Sequence, residues 1–408
     1  MSTTLPRLRM TLDFMPSPSR EDPGLFIRDP YHFSDAMLII PPPLVECLEC
    51  FDGSHTELDL RAALARITGR LETEEISRHL TDTLSKAGFL EDETFVRMQG
   101  EKRREFAEKA VREPAHAGSA YPEDPEELHR TMVEYMAEDA GAAAPAADGL
   151  FAIAAPHVSP SGGWRSYQAA YRMLRPEHRD RTFVILATSH YGAAEKFGLT
   201  RKRFRTPLGE SETDTRLVDW LASRAEGAVE MEDYCHSFEH TIELQIIFLQ
   251  HLMGANVKVL PILCGSYAHS IYRGGKPEDD DGVKRFLDSL GELRDREADR
   301  LFWILGVDMA HMGARYQDRF ECRAGEGVMQ NVADRDDQRI ARINALDAEG
   351  FWALVQEHHD DLKWCGSSPF YTFLKTAPKA TGDLLRYEQW NIDDRSVVSF
   401  AGMAFHKA

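Results

Sequence analysis

The chain has 408 residues, 43% hydrophobic and 28% charged, a globular composition that excludes disordered, collagen-like and membrane chains. Its 67 acidic residues against 48 Lys and Arg give a formal charge of -19, which repels phosphate backbones and anionic lipid and so argues against nucleic acid or membrane partners. Six cysteines, at 47, 50, 235, 264, 322 and 365, are too scattered for a disulfide framework, and no apolar window suits a signal peptide or a membrane span. A cytoplasmic protein is expected.

In chain order, residues 24–40 contain two short extended runs, GLFIRDP and AMLIIPP. Three helical patterns follow: PLVECLECF, ELDLRAALARITG and EEISRHLTDTLSKAGF. In the second, Leu58, Leu60, Ala63, Leu64 and Ile67 share one stripe, and Thr56 or Thr73 can cap the neighbouring helices. Residues 1–97 therefore form a small α+β domain, a hairpin with a helical bundle. This order of elements resembles the PqqD-like winged-helix modules, which bind peptides. Cys47 and Cys50 form one C-x-x-C on an amphipathic helix without a second pair, which points to packing rather than zinc. Residues 98–112, dense in charge, read as a solvated linker helix. The low-complexity stretch 139–149 reads as a surface loop.

From residue 113 to 408 the pattern is that of an α/β domain. Short apolar runs at 150–155, 182–188, 257–263, 301–307 and 396–405 alternate with amphipathic segments such as RSYQAAYRML and HTIELQIIFLQHL. This predicts a layered, parallel or mixed sheet flanked by helices. Ligands of such sheets collect beyond the carboxyl ends of the strands. There the first run meets His157, the second meets His190, and the fourth meets Asp308 with His311 close behind. Imidazoles converging in a cleft suit a transition metal, with a carboxylate or second histidine orienting each ring.

The segment His236-Ser237-Phe238-Glu239-His240 is a literal H-x-x-E-H, the inverted zinc-peptidase signature. Cys235 and Ser237 suggest that a helix starts inside it rather than passing through. Glu239 and Glu243 then stand four residues apart beside His240, a spacing equally typical of a surface pair. No G-x-S-x-G, P-loop or G-x-G-x-x-G signature is present.

Six ordered segments, HAGSAY (116–121), APH (155–157), ATSH (187–190), EHTIELQ (239–245), DMAH (308–311) and WCGSSP (364–369), resemble the Memo family, also called AmmeMemoRadiSam system protein B. The resemblance spans roughly residues 110–408. It implies a fold like that of the class III extradiol dioxygenases and a metal held by His157, His190 and Cys365. Asp308 and His311 would lie around them, with His116, Glu239 and His240 nearby. A thiolate among the ligands favours copper or iron, with zinc as a further option, over magnesium or calcium. The chain departs from the family at Ala120, where HAGSWY has tryptophan, at PHVSP in place of PHAGY, and at Gln245, where some members have histidine.

The reading that results is a metal-binding redox protein, dioxygenase-like in fold, in which His311 and Asp308 manage protons and His240 serves as acid or base. The alternative is a scaffold that binds a peptide or phosphopeptide, with Arg315 as its anchor. A zinc peptidase at His236 and His240 is the third reading. The family name implies a radical SAM companion protein as partner. Oligomeric state and substrate have no signal.

Overall fold

The computed structural model of the chain describes residues 4–19, 21–137 and 148–408. The loop expected at 139–149 lies outside these up to residue 147. The chain divides into two compact units, Met1–Glu108 and Lys109–Ala408.

In the smaller unit, Leu25–Arg28 and Met37–Ile40 pair antiparallel, Leu25 against Ile40, as the two extended runs predict. A third strand, Asp13–Pro16, joins the outer side of Leu25–Arg28. The first helical pattern is interrupted: Pro42–Val45 makes one α-helical turn, then Glu46–Cys50 tightens into a 3-10 helix. Cys47 and Cys50 turn into the apolar core with Leu48, Phe51, Leu60 and Leu64, and burial pushes both thiols up. The next helix, Glu57–Thr68, starts where the Asp59 carboxylate accepts from the Thr56 backbone N–H at 2.7 Å. It stops at Gly69, whose φ of 68° is the left-handed conformation that closes a helix. After Glu74–Lys86 comes Glu93–Glu108, a single helix that already contains residues 98–108 of the charged segment. Residues 111–112 are a strand of the larger unit, paired with Arg203 and Phe204.

The larger unit is built on a mixed 12-stranded sheet. At its centre Leu150–Ala155, Leu301–Gly306, Thr182–Thr188 and Lys258–Cys264 run parallel, side by side in that order. Ser396–Lys407 lies antiparallel to Leu150–Ala155 and pairs in turn with the long strand Ala380–Asp393. The larger unit is therefore layered α/β with a mixed sheet, and the smaller one carries a three-stranded antiparallel sheet.

Helices Pro125–Tyr135, Pro160–Tyr171 and His240–Met253 pack on one another, and Thr215–Arg224 and Ser367–Thr376 both pack on Asp281–Glu297. One helix from each set, His240–Met253 and Ser367–Thr376, covers the same two strands, Thr182–Thr188 and Leu301–Gly306. Every residue of those strands is buried, which is why they read as unbroken apolar runs. No helix among the described residues is long and apolar enough to cross a membrane.

Candidate metal centre

The parallel register sets Ala155 beside Gly306, and Gly306 beside Ala187. A few residues further on, His157, Asp308 and His190 emerge at one level of the sheet's carboxyl edge. Gly306 lets the covering helix come close: a Cβ there would stand 2.8 Å from the Thr241 carbonyl oxygen. That helix begins at His240 with Glu239 as its N-cap, so both residues arrive at the same edge.

Three imidazoles meet there. His157, His190 and His240 each offer a ring nitrogen within 4.8 Å of the other two, a group able to hold a metal ion. The His190 and His240 rings stack with centroids 5.1 Å apart. His157 stands edge-on to both, at 5.0 Å and 5.3 Å. The Cys365 sulfur lies 3.2 Å from His157 Nε2 and also hydrogen-bonds His190.

The neighbours dictate which nitrogens are free. His157 Nδ1 lies 3.0 Å from the Gly306 carbonyl, which only accepts, so Nδ1 carries the hydrogen and Nε2 the lone pair. His190 and His240 turn Nδ1 to Glu239 Oε1, at 3.1 Å and 3.0 Å, so Nε2 is the nitrogen of each that Glu239 does not take. Carboxylate or carbonyl behind an imidazole is the arrangement that orients metal-ligating histidines. Glu239, 2% exposed, also accepts from the backbone N–H groups of His190 and His240, at 2.8 Å and 2.9 Å.

The electrostatics follow. Burial, together with the two other rings, keeps His157 neutral, its pKa well below the ordinary value. Burial opposes charge on His190 as well, but the Glu239 carboxylate and the Cys365 thiol outweigh it and hold that ring well above. For Glu239, burial works against ionisation, and His190 and His240 overcome it. Burial pushes the Cys365 thiol up, with His190 offsetting part of the rise.

Cys365 is placed by contacts distant in sequence. Its carbonyl accepts from the Thr188 hydroxyl at 2.9 Å, and the next residue, Gly366, donates its N–H to the Asp308 carbonyl at 3.0 Å. A Cβ on Gly366 would come within 2.6 Å of that same oxygen, so glycine alone permits the approach. Asp308, 2% exposed, receives the backbone N–H of His157 at 2.8 Å and lies 3.6 Å from His157 Nε2 through its other oxygen. Burial raises its carboxyl. His311 points Nδ1 at the carbonyls of Met309 and Lys363, at 2.9 Å and 3.1 Å. Burial brings its pKa to about 4, so near neutral pH the ring is uncharged and Nε2 carries a lone pair that can accept a hydrogen bond.

His116 stands one step out, its ring 5.6 Å from His240 and its Nε2 2.7 Å from the Phe238 carbonyl. Its backbone N–H donates to Glu243, which also binds Arg112 and Tyr121. Glu239 and Glu243 are not a surface pair: one caps the helix, the other lies inside it, and both are buried. Gln245 escaped the sequence reading as a working residue. Fully buried, it donates to the Pro156 carbonyl at 2.8 Å and so steadies the segment that presents His157. Arg315 is exposed, in the turn Ala314–Tyr316, and its guanidinium has no hydrogen-bonding partner among the described residues.

The H-x-x-E-H histidines do not share a helix. His236 belongs to the 3-10 turn Tyr234–Ser237, whereas the α-helix starts at His240. His236 is buried against the Gly198 carbonyl, at 3.1 Å, outside the imidazole group. This removes the zinc-peptidase reading, which needs both rings one helical turn apart on one face.

A family model described as Memo-like protein matches residues 112–404. A MEMO1 family protein of Aquifex aeolicus is 27% identical over 384 residues, 93% of this chain and 95% of that protein. MEMO1 family proteins of Thermococcus kodakarensis and Methanopyrus kandleri are 28% and 26% identical, covering 73% and 72% of this chain and 100% and 99% of themselves. The Aquifex match thus reaches into the smaller unit, while these archaeal relatives are fully accounted for by about the length of the larger one. Since the model match takes in all three imidazoles and Cys365, the chain belongs to the Memo-like family.

Proposed function

We propose that the larger unit is a redox protein holding one transition metal ion, copper or iron, on His157, His190 and Cys365, with His240 beside them. One observation carries this: Nε2 of His157 turns to the Cys365 sulfur, 3.2 Å away, while every Nδ1 of the group is engaged from behind. Two imidazoles, neutral once they bind an ion, and a thiolate form a soft, mixed donor set that suits copper and iron better than magnesium or calcium. A bound ion of this kind supplies one-electron redox chemistry and a place for oxygen or a substrate donor. The chain's own residues set its surroundings: Asp308 fixes the His157 backbone, and neutral His311 presents Nε2 as a hydrogen-bond acceptor.

Elemental analysis of anaerobically purified protein tests this. About one copper or iron per chain is expected, lost in His157→Ala and retained in His236→Ala, with a thiolate charge-transfer absorption that disappears in Cys365→Ser. Metal-free protein ends the proposal, as does a Cys365→Ser variant that binds copper and iron as the wild type does.

A second reading, a scaffold for peptides or phosphopeptides, is favoured by Arg315 alone. Its guanidinium is exposed, and the adjacent Tyr316 ring packs edge-on at 4.9 Å against His311. On this reading a phosphopeptide binds with equal affinity with or without chelator, and Arg315→Ala abolishes binding. Binding that Arg315→Ala leaves intact excludes it.

A further inference from the structure

The helix Val328–Asn344 contributes no donor to the imidazole group, yet it carries a fully buried carboxylate, Asp336. The two oxygens serve different partners. Oδ1 accepts from the Trp364 indole N–H at 2.7 Å. Oδ2 accepts from the Tyr387 hydroxyl at 2.7 Å and the Ser399 hydroxyl at 2.6 Å.

Two of these arms end at the metal centre. Trp364 directly precedes Cys365. Ser399 accepts the Ala310 N–H on its hydroxyl at 2.8 Å, and its backbone pairs with the Ala310 carbonyl at 2.9 Å and the Met309 N–H at 2.8 Å. Met309 and Ala310 are the link between Asp308 and His311. One carboxylate therefore ties together two segments that come to the site from different parts of the chain.

The approach to Cys365 needs such a hold. His358, His359, Asp360 and Lys363 have φ values of 58°, 53°, 52° and 54°, the left-handed region that side-chain-bearing residues avoid. Backbone of this kind persists only where surrounding contacts over-determine it. The same helix supplies them. Arg339, one turn beyond Asp336, binds Asp360 at 2.8 Å and the Leu354 carbonyl at 3.0 Å, with its guanidinium 5.1 Å from the centre of the Trp364 ring. The imidazole rings are held by the Gly306 carbonyl and Glu239, and only the His157 backbone also reaches Asp308. Loosening the helix's grip on Trp364 thus frees the sulfur while the rings stay in place.

We infer that Asp336 is a positioning residue of the metal centre, aligning Cys365 through Trp364 and the Asp308–His311 segment through Ser399. This rests on the metal reading above. The full chain loaded with cobalt(II) under anaerobic conditions tests it, because cobalt–thiolate charge-transfer absorption reports the sulfur separately from the imidazoles. Asp336→Asn keeps a carbonyl oxygen for the indole but places an amide where two hydroxyls donated. Trp364→Phe keeps a ring and removes the indole N–H. In both, at saturating cobalt, the thiolate band is expected to weaken, and affinity in chelator competition to fall about tenfold, as for other groups that orient metal ligands. Circular dichroism checks that each variant is folded, and Trp364→Phe carries the test should Asp336→Asn not fold. Arg342→Ala, exposed on the same helix, should match the wild type. Wild-type affinity and band intensity in both Asp336→Asn and Trp364→Phe overturn the inference alone. A wild-type chain that binds no cobalt, or binds it without the thiolate band, overturns the ligand assignment and this inference with it.

Discussion

Arg112→Met destabilises the larger unit by about 3–5 kcal/mol, the usual cost of stranding one member of a buried ion pair. Arg112 and Glu243 are each 1% exposed in their side chains. The guanidinium also donates to the carbonyls of His236, Glu113 and Glu239, at 2.8, 2.9 and 2.9 Å. Its removal leaves a buried carboxylate with the Tyr121 hydroxyl and two backbone N–H groups as remaining partners. Denaturant unfolding measures the loss, and Arg112→Met combined with Glu243→Leu should recover most of it, since a packed apolar pair carries no stranded charge.

The effect has a definite pH dependence. Burial alone would raise the Glu243 carboxyl, but Arg112 and the Tyr121 hydroxyl hold it below its ordinary 4.5. Stability from a depressed carboxyl is present above the unfolded value and lost as pH falls through the folded one. The gap between wild type and Arg112→Met should therefore be full at neutral pH and shrink as pH falls through the depressed folded value of Glu243. A gap that widens on acidification contradicts this account of the pair.

Glu239→Gln lowers metal affinity by about 10- to 100-fold. The carboxylate receives four N–H groups, two from the His190 and His240 rings and two from their backbones. Glutamine offers one acceptor oxygen and turns an N–H₂ toward the remaining donors, so at least one ring loses its support. Competition against a chromophoric chelator gives the change, and circular dichroism separates it from misfolding. Affinity equal to that of the wild type would remove Glu239 from the centre's supporting structure.

The parts of this molecule legible in sequence are those where one physical requirement dominates. Strands buried on both faces must be apolar throughout, and LFAIAA, TFVILAT and LFWILG announce themselves for that reason. Once the strands are placed, the rule for their carboxyl ends leads to His157, His190 and Asp308. Ala380–Asp393 gives no such signal because it is only partly covered and mixes polar with apolar residues. The short strands Phe197–Leu199, Arg203–Thr206 and Gly209–Thr213 are too brief to show a period. Cys365 was reachable only through family resemblance. Its place depends on Thr188, Asp308 and a close approach at Gly366, none of them visible in the local pattern. Glu239 looks like a helical surface residue until the start of the helix is known to the residue, and boundaries are what periodicity defines least well.

In the proposed ligand set the sulfur of Cys365 follows the second imidazole, His190, by 175 residues. Synthesis proceeds from the N-terminus, so a ribosome-bound fragment ending before Cys365 offers imidazoles without the sulfur. On that proposal, a metal centre that includes the thiolate can assemble only after Cys365 has been made.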